Sequence, residues 1–183
     1  MPPATDSIRA FLDYLSHEAA ASPLTIETYQ FDLRSFTAYA EERLGEPFVP
    51  SEGDLDLVRG WLSVKLDEGL KASTVGRCLT SVRSFYRHLL KTGQIKRNPI
   101  QALRPPKAAR PLPVYVPTED MEQMLSEEVD PTDWRAVRDH LILTMLYECG
   151  LRRSEIAGLR DQAVDTTERQ LKVLGKGRKE RIV

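Results

Sequence analysis

The sequence predicts a mainly α-helical protein of two domains: a four-helix N-terminal bundle and a smaller helical domain that leads into a β-hairpin. Three observations predict it. Apolar residues recur at helical spacing through the N-terminal half, interrupted only by Gly, Pro and cap residues. The stretch Arg104–Pro113, with four prolines in ten residues, then breaks the pattern. Beyond it the helical period resumes and changes to strand-like alternation near Gln170. The boundaries read as 1–104, a linker over 105–117, and 118–183.

Composition narrows the class. A chain of 183 residues, 41% hydrophobic and 29% charged, can bury one sizeable core or two small ones. Cys78 and Cys149 sit in apolar helical patterns without metal-like spacing and read as reduced core residues of a cytoplasmic protein. His17, His88 and His140 are scattered, so no histidine metal site is expected. No signal peptide is apparent, and no apolar run approaches the roughly 18 residues a membrane span needs, so a soluble protein with no membrane partner is expected.

Taken in order, residues 7–20 form a first amphipathic helix with Ile8, Phe11, Leu12 and Leu15 inward. Ser22-Pro23 reads as an N-cap followed by proline at the first helical position. The second helix runs to about Arg43, with Ile26, Tyr29, Leu33, Phe36 and Ala40 inward, and ends at Gly45-Glu46-Pro47. Ser51–Asp54 opens a third helix, whose inward residues are Leu55, Val58, Leu62 and Leu66 and which Gly69 closes.

The fourth helix, Ala72 to Thr92, sits in a window of unusual charge. The formal net charge is only -1, yet Gly69–Thr118 holds ten Lys and Arg (Lys71, Arg77, Arg83, Arg87, Lys91, Lys96, Arg97, Arg104, Lys107, Arg110) and no acid. Elsewhere 27 acids face 16 bases. The distribution, rather than the total, indicates a polyanion partner. Val75, Leu79, Val82, Tyr86, Leu89 and Leu90 form the apolar side of this helix, and Ser73, Arg77, Ser81, Ser84, His88 and Lys91 the opposite stripe. A face meant only for water usually mixes acids with bases; hydroxyls with cations alone suit a phosphate backbone. With Lys71 and Thr74 at the helix start, these are the candidate DNA contacts. The plainer account is an exposed polar face that happens to lack acids.

Gly93, Asn98 and Pro99 end the helical pattern, with a short helical turn expected at Ile100–Leu103. The linker's cations either track a DNA strand or keep the segment extended and solvated. Thr118 reads as the cap of a short helix that ends near Val129, and Pro131–Trp134 starts the next, which continues as a buried Leu141–Tyr147 run. Gly150 suits a left-handed helix C-terminus. A second short helix starts near Arg152, with Ile156 and Leu159 inward. Two arginines there oppose the helix dipole, so local stability does not explain them; a helix N-terminus beside a guanidinium can hold a phosphate. Gln170–Leu174 and Glu180–Val183 read as strands about a Gly175-Lys176-Gly177 turn, which lacks the spacing of a nucleotide P-loop.

Two stretches in this order resemble the tyrosine recombinase (phage integrase) family, most closely its Xer type. Tyr147-Glu-Cys-Gly-Leu-Arg152-Arg-Ser-Glu155-Ile-Ala-Gly-Leu159 is similar to the family's first catalytic-arginine motif, and Val173-Leu-Gly-Lys176-Gly-Arg-Lys-Glu-Arg181 to its β-hairpin lysine motif. Gly69–Tyr86 is similar to the DNA-facing helix of the family's SAM-like core-binding domain, so the fold implied is that domain plus the first part of the α-helical catalytic domain with its hairpin. The resemblance implies strand cleavage by a tyrosine, giving a 3'-phosphotyrosine without metal, nucleotide or other cofactor. In that scheme Arg152 is the first of two arginines on the phosphate, Lys176 protonates the leaving 5'-oxygen, and Glu155 orients active-site groups or simply partners Arg152 or Arg153. Taken singly, an ion-paired surface arginine and a solubilising turn lysine are the plainer accounts. Arg153 stands where the family usually has a small or apolar residue.

The resemblance also implies duplex DNA as partner and a homo- or hetero-tetramer of like recombinases on paired sites. The family's second arginine motif, its later His or Trp and its nucleophilic tyrosine would lie beyond Val183, where the sequence stops mid-strand; this stretch is therefore expected to bind DNA without cleaving it alone. The alternatives are a non-catalytic DNA-binding protein and a helical protein-interaction module. Chromosome dimer resolution, mobile-element integration and inversion are not distinguished.

Overall fold

The computed structural model describes residues 4–107, 112–175 and 179–183. Lys176, together with Gly177, Arg178 and the linker's Arg110, lies outside the described residues. The chain divides into two compact units, Met1–Pro111 and Leu112–Val183.

The first unit is built from four helices, α1 (Ala4–His17), α2 (Pro23–Leu44), α3 (Leu55–Asp67) and α4 (Ala72–Lys91). Local chemistry sets their ends. The Ser22 hydroxyl accepts from the Thr25 N–H (3.2 Å) and Pro23 opens α2, whose end is set by Gly45 at φ 74°. Asp54 caps α3 by accepting from the Leu57 N–H at 2.7 Å. Gly53, just before it, meets a different constraint: a Cβ there would collide with the Tyr86 hydroxyl. The segment Ile100–Leu103 is a turn rather than a helix, closed by the Leu103 N–H on the Ile100 carbonyl at 3.1 Å.

All four helices contribute to one core. Phe11, Leu33, Phe36, Val58, Trp61, Val75, Leu79, Val82, Tyr86 and Leu89 are buried in it, with Phe48 and Ile100 sealing its ends. Phe36 lies 5.4 Å, centroid to centroid, from both Phe48 and Trp61, in edge geometry. Two residues expected inside face out, Leu66 (41% exposed) and Leu90 (41%).

Helix α4 differs from expectation in the rotation of its polar side. Ser81 and His88 were expected on the exposed stripe; both are buried, and neither surface is available to DNA. The reason is the breadth of the apolar contact. Helix α4 packs against α1, α2 and α3 at once, so its inward face extends past the aliphatic row to take in Cys78, Ser81, Phe85 and His88. His88 lies between Phe11 (5.4 Å) and Tyr14 (4.8 Å), and its Nδ1 has no hydrogen-bond partner among the described residues.

The second unit holds α5 (Thr118–Ser126), α6 (Trp134–Tyr147), α7 (Arg153–Ala157) and an antiparallel sheet of β1 (Val164–Asp165), β2 (Gln170–Leu174) and β3 (Glu180–Ile182), in that order. Thr118 is the first residue of α5, not its cap, and Pro117 precedes it. Asp133 caps α6 through the N–H groups of Arg135 and Ala136. The Leu141–Tyr147 run is not buried as expected: Leu141 is 50% exposed and Tyr147 48%. The short helices α5 and α7 that pack on α6 are too small to enclose it. The buried residues described in this unit are Leu151, Glu155 and Val173, which gather where α7 meets the sheet.

Burial and, secondarily, nearby Lys91 hold the His88 imidazole below its ordinary pKa of 6.5. The unfolded chain therefore binds a proton at a higher pH than the folded one. Stability that is fully present above about pH 6.5 is lost as the pH falls through that value toward the lower folded pKa. Thermal melts should show this loss between neutral pH and about pH 5, and His88→Phe should remove that component; an unchanged pH profile in the variant would contradict the neutral buried imidazole.

Candidate functional site

On α4, the outward residues are Lys71 at its start, then Ser73, Arg77, Thr80, Arg87 and Lys91, with Thr74, Arg83 and Ser84 half-buried beside them. The acid-free face expected from sequence is present, but turned toward Thr80, Arg83 and Arg87 and away from Ser81 and His88. Lys91 sits 4.8 Å from the Tyr14 ring centroid, a cation–π contact that steadies its stem.

Arg77 is more than a surface cation. Its Nη1 donates to Asp32 of α2 at 2.6 Å, and the Ser81 hydroxyl donates to the same carboxylate oxygen at 2.6 Å. Asp32 is 2% exposed, while the Arg77 side chain keeps 43% of its surface. A buried carboxylate requires such partners, and these fix the guanidinium, whose Nη2 lies 3.7 Å from Cys78 Sγ. Cys78, 3.6 Å from Asp32, has its thiol pushed up to about 11 by burial first and by Asp32 second, so it stays an inert thiol. Cys149 is half-buried, and both cysteines are free.

In the second unit the site centres on Glu155. Gly150, at φ 60°, ends the turn after α6 in the left-handed conformation. The chain then brings Arg152 to the cap position of α7. Glu155, three residues on, accepts from the Arg152 N–H at 2.8 Å and from its Nη1 at 2.9 Å. The first N–H at this terminus is thus taken, and α7 has only five residues. The Arg152 side chain is 67% exposed.

The other partner of Glu155 is Arg181, and sequence reasoning missed it. Its Nη1 and Nη2 donate to the two carboxylate oxygens at 2.7 and 2.9 Å. The cause is strand register. Val173 on β2 pairs with Arg181 on β3, so the two side chains share one face, and Val173 is on the inward one. An arginine at an inward position of a short hairpin strand is the signal that would have found it. Glu155 carries 3% of its side-chain surface, covered by its own partners rather than by a deep core. Hydrogen bonding from Arg181, then from the Arg152 N–H, lowers its pKa to about 2. Arg153 has no part in this cluster among the described residues.

Gly175 completes the arrangement. Its N–H donates to the Lys179 carbonyl at 2.8 Å. A Cβ on Gly175 would lie 3.5 Å from a Glu155 oxygen and 3.6 Å from Arg181 Nη1. Gly175 therefore lies beside the Glu155–Arg181 pair. The described residues include no group of three or more His, Cys, Asp or Glu placed to hold a metal.

Comparison with known proteins agrees with this layout. The profile described as "Phage integrase, N-terminal SAM-like domain" matches residues 8–93, and that of the "Phage integrase family" matches 115–183. The chain belongs to the phage integrase family of tyrosine recombinases. Tyrosine recombinase XerC of Pelobacter propionicus is 36% identical over 183 residues, covering 100% of this chain and 60% of the relative. XerC of Rhodospirillum centenum is also 36% identical, covering 100% of this chain and 55% of its own length. The chain thus spans a little over half the length of these curated relatives. A structure of a lambda integrase tetramer bound to a Holliday junction matches with a TM-score of 0.67 at 14% identity, covering 100% of this chain and 51% of that one. At that identity the likeness shows the fold. It supports the mainly helical phage-integrase architecture with a small sheet, and no helix among the described residues is long and apolar enough to cross a membrane.

Proposed function

We propose that this chain supplies the DNA-gripping helix and part of the phosphate site of a site-specific DNA recombinase of the XerC kind, acting through a 3'-phosphotyrosine. The observation that carries the reading is the Arg152 guanidinium: exposed, tethered on one side by Glu155, and free to turn its remaining donors to a phosphate. A guanidinium matches two phosphate oxygens at once, and it stabilises the charge that builds on them as the phosphorus becomes five-coordinate. The steps balance without an added cofactor. A tyrosine hydroxyl, expected beyond Val183, gives up its proton to water as its oxygen forms the bond to phosphorus and the bond to the 5'-oxygen breaks. Lys176 gives that oxygen its proton, and the 5'-hydroxyl of a partner strand later reverses the exchange.

Duplex DNA is the proposed partner of α4, through Lys71, Ser73, Thr74, Arg77, Ser84 and Lys91, to which the rotated face adds Thr80, Arg83 and Arg87. The structure of similar fold, a lambda integrase tetramer, is bound to a Holliday junction, which supports like recombinases on paired sites as further partners. Arg77 is a poor probe of DNA contact, because Arg77→Glu would set a second carboxylate against buried Asp32. Arg87 is exposed and is the cleaner choice.

Arg87→Glu should weaken duplex binding and flatten its salt dependence by about one or two phosphate contacts' worth of slope; an unchanged slope would remove α4 from the interface. In the full-length protein, Arg152→Ala should abolish covalent protein–DNA adducts on a nicked suicide substrate while duplex binding persists. Undiminished adducts would refute the arginine assignment, whereas an unsubstituted protein that binds the duplex but forms no adduct would favour a non-catalytic DNA-binding protein.

A further inference from the structure

Glu155 presents the site with a difficulty that the structure also resolves. Arg152 can clamp a phosphate only if its guanidinium is not held by the carboxylate three residues away. Glu155 is ionised throughout the useful pH range and lies 2.9 Å from Arg152 Nη1. Left with Arg152 as sole partner, it would compete with the phosphate for the same donors. Arg181 prevents this by taking both carboxylate oxygens with its two terminal nitrogens (2.7 and 2.9 Å), in the bidentate geometry where a guanidinium binds a carboxylate best. The Arg152 backbone N–H takes one of those oxygens as well, which leaves the Arg152 guanidinium a single weakly required bond.

The same pair governs the hairpin. Arg181 is on β3, and a Cβ added at Gly175, the residue before Lys176 in sequence, would meet the pair at 3.5 and 3.6 Å. A further bond from Arg181 Nη2 to the Gly150 carbonyl, at 3.5 Å, reaches the turn that delivers Arg152. From these contacts we propose that Arg181 is a positioning residue for phosphoryl transfer, resting on the recombinase reading above: it neutralises Glu155 so that Arg152 is released to the phosphate, and it ties β3 to the Arg152 turn. Neither effect requires Arg181 to touch DNA.

The test uses the full-length protein, a nicked suicide duplex, single-turnover adduct formation and a separate measurement of duplex affinity. Arg181→Ala should slow adduct formation about a hundredfold, the cost of a misplaced catalytic group, with affinity for DNA nearly unchanged. The double variant Glu155→Gln/Arg181→Ala should recover about tenfold of that loss, because an uncharged amide no longer holds Arg152; the tenfold corresponds to about 1.4 kcal/mol of competition removed. A merely structural Arg181 would give no such recovery. Should Arg181→Ala fail to fold, Arg181→Lys, which keeps charge but not the two-pronged contact, serves in both comparisons. Near-normal adduct formation in the single variant, or a double variant as slow as the single, overturns the inference. Parallel controls separate the two claims: loss of adducts in Arg152→Ala with no loss in Arg181→Ala defeats this inference alone, whereas an unsubstituted protein that forms no adduct defeats the recombinase reading.

Discussion

Taking the Glu155 carboxylate out of water obliges the chain to surround it with donors, because an unpaired buried charge is not tolerated in a small folded unit. The donors come from two places in the sequence: the backbone and side chain of Arg152, next to it, and the fork of Arg181, twenty-six residues on. That one requirement explains why the turn at Gly150, the five-residue α7 and the hairpin converge where they do. The unit has little apolar core of its own, with Leu151 and Val173 its buried apolar residues described, so an ion pair does the joining that packing does elsewhere.

The four-helix bundle uses a related device on a larger core. Asp32 is buried on α2, and its partners Arg77 and Ser81 are on α4. Removing one partner of a buried pair costs on the order of 3–5 kcal/mol, less where one partner keeps access to water, as Arg77 does. In both units a buried acid holds an arginine at the surface with donors to spare. For a protein proposed to handle a phosphate backbone this has a clear use: guanidinium groups already held in place lose less conformational freedom when the polyanion arrives.

Much of this was legible in the sequence. The helical period gave the four helices of the bundle and nearly all of its core, because an amphipathic helix in a single-core domain has one way to face. Gly45 and Gly150 marked helix ends, and the alternation over Gln170–Leu174 marked the strand. What was not legible depended on partners remote in sequence. Ser81 and His88 read as polar and outward; they are inside because α2 offers Ser81 a buried acceptor and α1 offers His88 an aromatic slot. The apolar Leu141–Tyr147 run read as buried, but no spacing rule says how much covering surface a neighbour will provide. Arg152 and Glu155 could be read as neighbours three apart. Arg181 was left without a role: its inward position is a signal in the strand pattern, but its partner follows from the cross-strand register of the folded hairpin.

The shared carboxylate is the point on which the whole account turns, and its titration reports it directly. Following the side-chain carboxyl carbon of Glu155 by NMR from neutral to acid pH, the account predicts a midpoint near 2, with the resonance flat through the range where ordinary carboxylates titrate. A midpoint at the usual value of 4.5 would show that Arg181 and Arg152 do not hold it, and would contradict the account.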